Sequence, residues 1–272
     1  AAWSGSGYAV AWVDGSSGHS QVYATLLDAD ENITHQDIHV SETTFSQTGP
    51  SMAWIAASSV YQLAWSDTRS GTRNEIYGAQ LVPDSTVYNN NLLVSGSSTS
   101  NMPSLAASPN GCGLSWIDYR DGQMEIYFAL LNYYGSKWTA DTRLTENTTE
   151  KYSPDCVWTG IEYGVFWYNK VVGNIYSIRF QRVSGMGVPQ GSAVQVTEVG
   201  SMAMPKGAFA HYGYLFSCVG DGNYVEPLGC ASPYPPGCPS NLLAYGVSGT
   251  TATIAWQAAL DNYTDIAYYA VY

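Results

Sequence analysis

The chain contains the stretch LAWSDTRSGTRNEIY at residues 63–77 and a near copy, LSWIDYRDGQMEIY, at residues 114–127. In both stretches a tryptophan precedes an aspartate by two residues and an arginine by four, and the stretch ends on Glu-Ile-Tyr. The tryptophan recurs at intervals of 49 to 53 residues, with phenylalanine in the last copy: Trp12, Trp65, Trp116, Trp167 and Phe216. An internal repeat of this length decides the architecture, because each copy forms one structural unit of the fold.

Other landmarks recur with the tryptophan. They are a proline that opens the unit, a turn glycine after the tryptophan strand and a tyrosine in the third strand: Pro50, Pro103, Pro154 and Pro205; Gly18, Gly71, Gly122 and Gly173; Tyr23, Tyr77, Tyr127, Tyr176 and Tyr224. Short runs of alternating apolar and polar residues lie between them, which indicates four strands per unit. No segment has the apolar spacing of an amphipathic helix, so we expect an all-β chain. Four-stranded units repeated about every 40 to 50 residues are typical of a β-propeller.

The repeat predicts where the blades of this propeller begin and end. The units cover residues 1–49, 50–102, 103–153, 154–204 and 205–230. Five units are visible, and the last lacks a clear fourth strand. A propeller ring normally closes by borrowing a strand from the other terminus. Both five and six blades therefore stay open, and six is favoured, with the sixth unit upstream of residue 1.

Composition narrows the classes of function. The formal net charge is −12 and Lys plus Arg total only 10, which argues against a nucleic-acid partner, because that would need a basic surface. No apolar run approaches the length of about 18 residues that a membrane span needs, so we expect no membrane insertion. Five cysteines in a chain rich in Ser, Thr and Tyr suggest an oxidising, extracellular compartment.

The cysteines allow more than one set of disulfides. Cys112 and Cys156 lie on neighbouring units and can pair. Cys218 and Cys230 can bridge the shortened fifth unit, which leaves Cys238 free. Alternatively Cys238 closes the small loop to Cys230. Reduced, buried thiols are the remaining possibility, since the connectivity does not follow from sequence.

The C-terminal residues differ from the repeats. Residues 231–238 form a proline-rich linker. Residues 239–272 begin with Pro239 and Leu242, continue with an alternating strand that ends in Ile-Ala-Trp256, and close on YYAVY at 268–272. This segment resembles the opening strands of a fibronectin type III domain. Such a sandwich needs about seven strands, so the resemblance covers only part of one and implies that the polypeptide has further domains.

The repeats themselves resemble a known family. The pattern W-x-D-x-R-x-G-x-x-x-E-I-Y, with Arg-Leu-Thr downstream at residues 143–145, is similar to the repeats of sialidase-like propeller proteins. That resemblance implies a secreted or cell-surface bacterial protein with several domains. The family's Asp-box, S-x-D-x-G-x-x-W, does not occur in that form. The similarity is therefore to the wider group of such repeats and not to active sialidases.

The repeated acidic and basic residues have a structural and a functional interpretation. As architecture, Asp67 and Asp118 accept backbone hydrogen bonds in the turn and pair with the arginines, whose guanidinium groups Glu75 and Glu125 share. This interpretation is favoured because a motif that recurs along the chain is more often architecture than a single active site. The motif also decays, since Gly15-Ser16 replaces the arginine in the first unit and Asn169-x-Val171 lacks both charges in the fourth. As function, each blade holds a shallow pocket for a sugar or peptide. The candidate ligand-binding residues are Asp67, Arg69, Glu75, Asp118, Tyr119, Arg120, Glu125 and Tyr168, with Trp138 as a further aromatic on the contact face.

No catalytic residue is predicted. The six arginines sit mostly at repeat or turn positions, so a central arginine triad is not expected. Two-carboxylate glycosidase chemistry stays open, because 22 acidic residues allow many pairs and no spacing selects one. No cofactor is expected. Asp28, Asp30 and Asn32 form a weak candidate for Ca²⁺, with an ordinary hairpin turn as the favoured interpretation.

These observations predict a non-enzymatic recognition, adhesion or structural module of a secreted or surface multidomain protein. Its expected ligand is a carbohydrate or a protein bound on one face of the ring. The alternatives are a sialidase-like glycoside hydrolase with its site at the central channel, or a subunit of an extracellular filament or coat that contacts other copies.

Overall fold

The structure of the chain is a computed structural model. It describes residues 1–16, 18–41, 43–95, 98–146, 149–197, 200, 203–210, 213–219, 224–227, 240–248 and 251–257. Within these residues every regular element is a β-strand, as the sequence predicts. The described residues contain no helix that is long and apolar enough to cross a lipid bilayer.

Four repeats form four-stranded antiparallel sheets, which we call blades 1 to 4. Blade 1 contains β1 (Ala2–Trp3), β2 (Gly7–Asp14), β3 (Gln21–Asp28) and β4 (Ile33–His39). Blade 2 contains β5 (Gln47–Ile55), β6 (Val60–Asp67), β7 (Glu75–Leu81) and β8 (Val87–Ser95). Blade 3 contains β9 (Ser100–Ser108), β10 (Gly111–Asp118), β11 (Glu125–Asn132) and β12 (Thr142–Arg143). Blade 4 contains β13 (Lys151–Trp158), β14 (Glu162–Val172), β15 (Ile175–Ser184) and β16 (Pro189–Gln195).

The fifth repeat is a three-stranded sheet in the described residues, blade 5. It contains β17 (Ala203–Ala210), β18 (Gly213–Val219) and β19 (Tyr224–Pro227). A sixth blade is not among the described residues. Beyond blade 5, β20 (Ser240–Ser248) and β21 (Thr251–Gln257) form an antiparallel hairpin. The predicted linker at 231–238 lies outside the described residues, as does the YYAVY segment.

The core lies between blades, where the flat faces of consecutive sheets meet. Trp65 belongs to the core between blades 1 and 2, Trp116 to the one between blades 2 and 3, and Trp167 to the one between blades 3 and 4. All three side chains are fully buried. Burying a large apolar side chain stabilises a fold by about 1.5–3 kcal/mol, so one tryptophan per repeat contributes strongly to blade packing. This packing explains why the tryptophan is the most regular feature of the sequence.

Two of the predicted disulfide partners are free thiols, so the predicted Cys112–Cys156 bridge is wrong. Successive side chains of a strand point to opposite faces of a sheet. Gly113, the residue after Cys112, faces Tyr163 of blade 4. Cys112 points to the other face of the sheet and packs in the core between blades 2 and 3. Cys156 packs in the core between blades 3 and 4, so the sheet of blade 3 separates the two sulfur atoms. Cys230 and Cys238 lie outside the described residues. The predicted pairings of Cys230 with Cys218 or with Cys238 therefore stay predictions.

The first strand of each blade contacts the first strand of the next, so these inner strands surround the centre of the ring. Each inner strand of blades 2 to 5 is interrupted before its proline by a residue with a positive φ: Gly49 (59°), Met102 (53°), Ser153 (43°) and Met204 (53°). The pairing register with the second strand shifts at the same place in all four blades. A β-bulge of this kind bends a strand and redirects its side chains. A positive φ is uncommon outside glycine, yet it recurs at this position in Met102, Ser153 and Met204. The bulge is therefore a regular feature of the inner strands.

Candidate functional site

The repeated aspartates lie at the end of the blades where the second strand turns into the third. This end, the turn face, comprises the turns at residues 68–74, 119–124 and 173–174. Asp67 and Asp118 are fully buried. The Asp118 carboxylate accepts hydrogen bonds from the indole N–H of Trp116 at 3.0 Å and from the backbone N–H of Arg120 at 2.9 Å. It also pairs with the Arg120 guanidinium at 2.6 Å.

Blade 2 repeats the same network and blade 4 keeps half of it. Asp67 accepts from the indole of Trp65 at 3.0 Å and pairs with Arg69 at 2.6 Å. In blade 4 the amide oxygen of Asn169 accepts from the Trp167 indole at 2.8 Å, with no arginine two residues later. Burial raises the pKa of Asp67 and Asp118, but the hydrogen bonds from the arginines and indoles outweigh it and leave both pKa values below the ordinary 3.8. These carboxylates are held inside the blades, away from a ligand.

The glutamates of the motif do not share the guanidinium of Arg69 or Arg120, so that expectation is wrong. Each guanidinium instead makes a cation–π contact, Arg69 at 3.8 Å from the ring centroid of Tyr77 and Arg120 at 4.4 Å from that of Tyr127. Arg120 also pairs with Asp141 at 2.8 Å. Glu75 pairs with Arg73 at 3.1 Å.

Glu125 has other cationic partners. It pairs with Arg143 at 2.8 Å and with the fully buried ammonium of Lys151, on the inner strand of blade 4, at 2.9 Å. The Thr145 hydroxyl also donates to Glu125. Burial lowers the pKa of Lys151, and the carboxylate of Glu125 opposes that shift. This network ties blade 3 to blade 4.

The inner strands line a central channel of about 630 Å³. Its wall includes Ala1 beside β1 and the residues around each repeated proline of β5, β9, β13 and β17. In each of these blades the residue directly after the repeat proline faces the channel. These equivalent residues are Ser51, Ser104, Asp155 and Lys206. Asp155 is the only carboxylate among the described residues that line this channel.

These channel positions connect consecutive blades. The hydroxyl of Ser51 accepts the backbone N–H of Leu105 at 2.9 Å, and the hydroxyl of Ser104 accepts that of Cys156 at 3.0 Å. One carboxylate oxygen of Asp155 accepts the backbone N–H of Gly207 at 2.6 Å. The other accepts from the ammonium of Lys206 at 2.8 Å. Asp155 therefore fills a structural position that two other blades give to serine, and adds a negative charge to the channel wall.

Two of the predicted aromatics lie on the turn face near the channel. Tyr119 follows the buried Asp118, and Tyr168 stacks on Tyr152 with ring centroids 5.1 Å apart. Trp138 does not share this face, which corrects the prediction. It follows β11, whose last residue Asn132 pairs with Gly111 at the opposite end of the sheet from Asp118.

The hairpin of blade 4 explains a second difference from the sequence alignment. Trp167 pairs with Arg179, not with a tyrosine, because Tyr176 follows Trp167 by only nine residues, whereas the paired tyrosines of blades 1 to 3 follow their tryptophans by 11 or 12. The β14–β15 pairing also runs further toward the turn, with a register shift after Lys170. Tyr176 therefore lies nearer the turn face, where its ring contacts Tyr168 edge-on at 5.3 Å.

The candidate calcium residues lie in the β3–β4 turn. The Asp28 carboxylate accepts the backbone N–H groups of Asp30 and Asn32, both at 2.9 Å, and the Asn32 side-chain amide at 3.1 Å. These bonds close the hairpin and lower the pKa of Asp28, the Asn32 side chain contributing most. In the described part of the chain no three His, Cys, Asp or Glu side chains are grouped as metal ligands. A Ca²⁺ site at this turn stays a prediction.

Sequence reasoning missed Asp155 and Lys206 as a pair. The signal was available, because both follow a repeat proline and depart from the serine of the earlier repeats. Their proximity depends on the ring, which brings positions 51 residues apart onto adjacent inner strands.

No protein-family model matches the sequence, and no curated protein sequence matches it. Solved structures that superpose on the chain include carbohydrate-active enzymes. An endo-arabinase from Bacteroides thetaiotaomicron superposes with a TM-score of 0.51 at 14% identity, over 86% of this chain and 92% of that chain. A levansucrase variant from B. megaterium gives a TM-score of 0.53 at 9% identity, over 95% and 83%. An α-L-arabinofuranosidase from Lactobacillus brevis gives 0.50 at 9% identity, over 80% and 89%.

At these identities the comparisons establish only the fold, which is an all-β arrangement of four-stranded sheets. The compared glycoside hydrolases are five-bladed β-propellers. Five is also the number of repeat sheets among the described residues. The comparisons contradict the prediction of a non-enzymatic recognition, adhesion or structural module. The endo-arabinase and the α-L-arabinofuranosidase, which share the fold over 92% and 89% of their own chains, are enzymes that act on carbohydrates.

Proposed function

We propose that the chain is the propeller of a glycoside hydrolase that binds its glycan at the turn-face mouth of the central channel. The observation that carries this proposal is the position of Asp155. It is the only carboxylate among the described channel residues, in a fold shared with an endo-arabinase and an α-L-arabinofuranosidase. Glycosidase chemistry is built on carboxyl groups beside the scissile bond.

The contacts of Asp155 suit a particular role. Both of its oxygens accept hydrogen bonds, one from Lys206 and one from the Gly207 N–H, and neither contact asks the carboxyl group to donate. Such a group acts as a base toward water, or as a negative charge that stabilises an oxocarbenium-like transition state, and not as the acid that protonates the leaving group. The reaction uses two carboxyl groups. The proposal therefore requires the second one to come from outside the described channel lining.

The names of the compared enzymes give the first substrates to test: arabinan, an α-L-arabinofuranoside, sucrose and levan. We also propose three features that the sequence predicts. The repeats are sialidase-like, the protein is extracellular and bacterial, and the β20–β21 hairpin belongs to a fibronectin type III segment. The acidic net charge of −12 and the proline-rich sequence after blade 5 support a solvated, multidomain extracellular protein.

The test is hydrolysis of these four substrates by the chain and by an Asp155→Ser variant. Serine occupies the equivalent position in blades 2 and 3 and accepts the same backbone hydrogen bond there, so the variant removes the carboxylate and keeps the link to the next blade. We expect the rate of glycosidic cleavage to fall by about 10³-fold, the size of effect typical for loss of a catalytic acid or base. The matched control is Ser104→Ala, which removes a blade link and leaves Asp155 in place. Absence of cleavage of all four substrates by the natural chain, or full activity of Asp155→Ser, would overturn the proposal.

A further inference from the structure

A groove of about 270 Å³ opens on the turn face beside the channel. Blades 2, 3 and 4 all contribute to it. The side chains that define it are Thr48, Asn101, Met102, Tyr119, Met124 and Tyr152. We call it the tyrosine groove. Its composition, two aromatic rings and two thioethers with a few neutral polar groups, is that of a small-ligand site.

The aromatic wall of the tyrosine groove is supported from behind. The Tyr152 ring stacks on Tyr168 with an interplanar angle of 20°, and Tyr176 contacts both rings edge-on. The Tyr152 hydroxyl donates to Glu150 at 2.7 Å, and Glu150 also pairs with Lys170. These contacts fix the orientation of Tyr152 from its ring face and from its hydroxyl end. A rigid aromatic ring loses little conformational entropy when a ligand stacks on it.

The tyrosine groove is continuous with the channel mouth. Gly49 and Met102 line both of them. The Ser153 hydroxyl, at the bulge of the next inner strand, lies 3.8 Å from the Met102 sulfur. A linear molecule that lies in the groove therefore has a direct path over the bulged inner strands toward Asp155.

The lining also limits the chemistry of the occupant. None of the residues that line the tyrosine groove carries a charge. An acidic or basic ligand would lose its hydration there without a counter-charge, which is unfavourable. A neutral ring with an apolar C–H face and hydroxyl edges would match both parts of the lining, since the tyrosine rings offer an apolar face and the Asn101 and Thr48 side chains offer hydrogen-bonding groups.

We propose that the tyrosine groove is a subsite for one neutral sugar ring of a glycan chain whose adjoining residues run into the channel mouth at Asp155. The inference rests on the proposed function above, and it adds a length requirement. Single sugars reach only one of the two places, whereas chains of three or more residues occupy both.

The experiment measures binding by isothermal titration calorimetry with linear arabino-oligosaccharides and levan-type fructo-oligosaccharides of one to six residues. In the natural chain, Kd for at least one series should fall as the oligosaccharide lengthens from one to three residues. Tyr119→Ala should raise Kd of the longer oligosaccharides about tenfold, the size of one lost aromatic contact with its buried area, and leave monosaccharide binding unchanged. Tyr119→Phe keeps the ring and should bind like the natural chain. Tyr134→Ala, an exposed tyrosine on the opposite end of blade 3, is the matched control.

The outcomes separate this inference from the proposed function. Unchanged Kd values in Tyr119→Ala, with cleavage that depends on Asp155, would overturn the tyrosine groove and leave the hydrolase standing. Length-dependent binding that Tyr119→Ala weakens about tenfold would support the groove, even if no substrate is cleaved and the hydrolase proposal fails. Equal losses in Tyr119→Ala and Tyr119→Phe would overturn stacking as the basis of recognition.

Discussion

The carboxylate of Asp155 joins blade 4 to blade 5 by accepting the ammonium of Lys206 at 2.8 Å and the backbone N–H of Gly207 at 2.6 Å. Asp155 and Lys206 occupy the same position of consecutive repeats. Ser51 and Ser104 hold this position in the earlier blades, and each accepts one backbone N–H from the next inner strand. Asp155 thus adds a charge to an existing structural link, so the effect of a substitution on activity has to be separated from its effect on stability.

Three substitutions separate the parts of this link. Asp155→Ala leaves the partly buried Gly207 N–H without its acceptor and should lower the free energy of unfolding by about 1–3 kcal/mol. Asp155→Ser should recover most of that loss because the hydroxyl accepts the same N–H. Lys206→Met should cost no more than about 1 kcal/mol, since the Lys206 side chain is 75% exposed and water screens its ion pair. Urea unfolding followed by tryptophan fluorescence measures all three. A loss in Lys206→Met as large as that in Asp155→Ala would show that the ion pair, and not the backbone bond, carries the link.

The buried aspartates predict an acid-sensitive fold. Since the pKa values of Asp67 and Asp118 lie below 3.8 in the folded chain, folding favours the ionised carboxylates. Their contribution is complete above the unfolded-state value of about 3.8 and is lost as the pH falls through the lower folded-state value. Asp118→Asn keeps an acceptor for the Trp116 indole, as Asn169 does for Trp167, but loses the ion pair with Arg120. We expect it to be less stable than the natural chain at pH 7 by about 1–3 kcal/mol and to lose less stability between pH 5 and pH 2. Urea titrations at several pH values give both quantities, and parallel pH curves for the two proteins would contradict the assignment.

Much of the fold follows from the sequence because the repeat has a physical cause. Trp65, Trp116 and Trp167 each fill the gap between two sheets, so the same residue is needed once per blade. A threonine that follows the fourth strand of blades 3 and 4 also has a repeated role. Thr145 and Thr197 each accept a backbone N–H of the third strand at 2.9 Å. Features that each blade needs for its own packing are visible in a single chain.

Features that depend on how blades meet are not visible in the same way. The tyrosine groove brings Tyr119 next to Tyr152, residues of different repeats, and the bulges that shape it come from backbone conformation. The pairing of β14 with β15 places Arg179, and not Tyr176, opposite Trp167. Strand alternation sends Cys112 and Cys156 to different cores although they lie on neighbouring units. Each of these features depends on the pairing register of the strands, because a shift of one residue moves every side chain to the opposite face of the sheet.

The two buried cysteines should be unreactive in the native chain. Burial raises the pKa of the Cys112 and Cys156 thiols far above the ordinary value, so neither forms the reactive thiolate at neutral pH. We expect iodoacetamide at pH 8 to leave both unmodified in the folded chain and to modify both in 6 M guanidinium without a reductant. Peptide mapping by mass spectrometry locates each modified site and is independent of the other three cysteines. A peptide in which Cys112 is disulfide-linked to Cys156 would contradict the separation of the two cores.

The pair of Glu125 and Lys151 offers a test of how blades 3 and 4 are held together. Both side chains are fully buried and their charged atoms lie 2.9 Å apart. Glu125→Leu removes the carboxylate from a buried ammonium and should lower the free energy of unfolding by about 3–5 kcal/mol. Adding Lys151→Met to that variant removes the buried ammonium that Glu125 had neutralised, so the double variant should be more stable than Glu125→Leu alone. Lys151→Met by itself leaves Glu125 paired with Arg143, whose side chain is 30% exposed, and should cost less than Glu125→Leu. Urea unfolding of the four proteins completes the double-mutant cycle. If the second substitution made Glu125→Leu no more stable, the cost of that variant would come from lost packing and not from loss of the ion pair with Lys151.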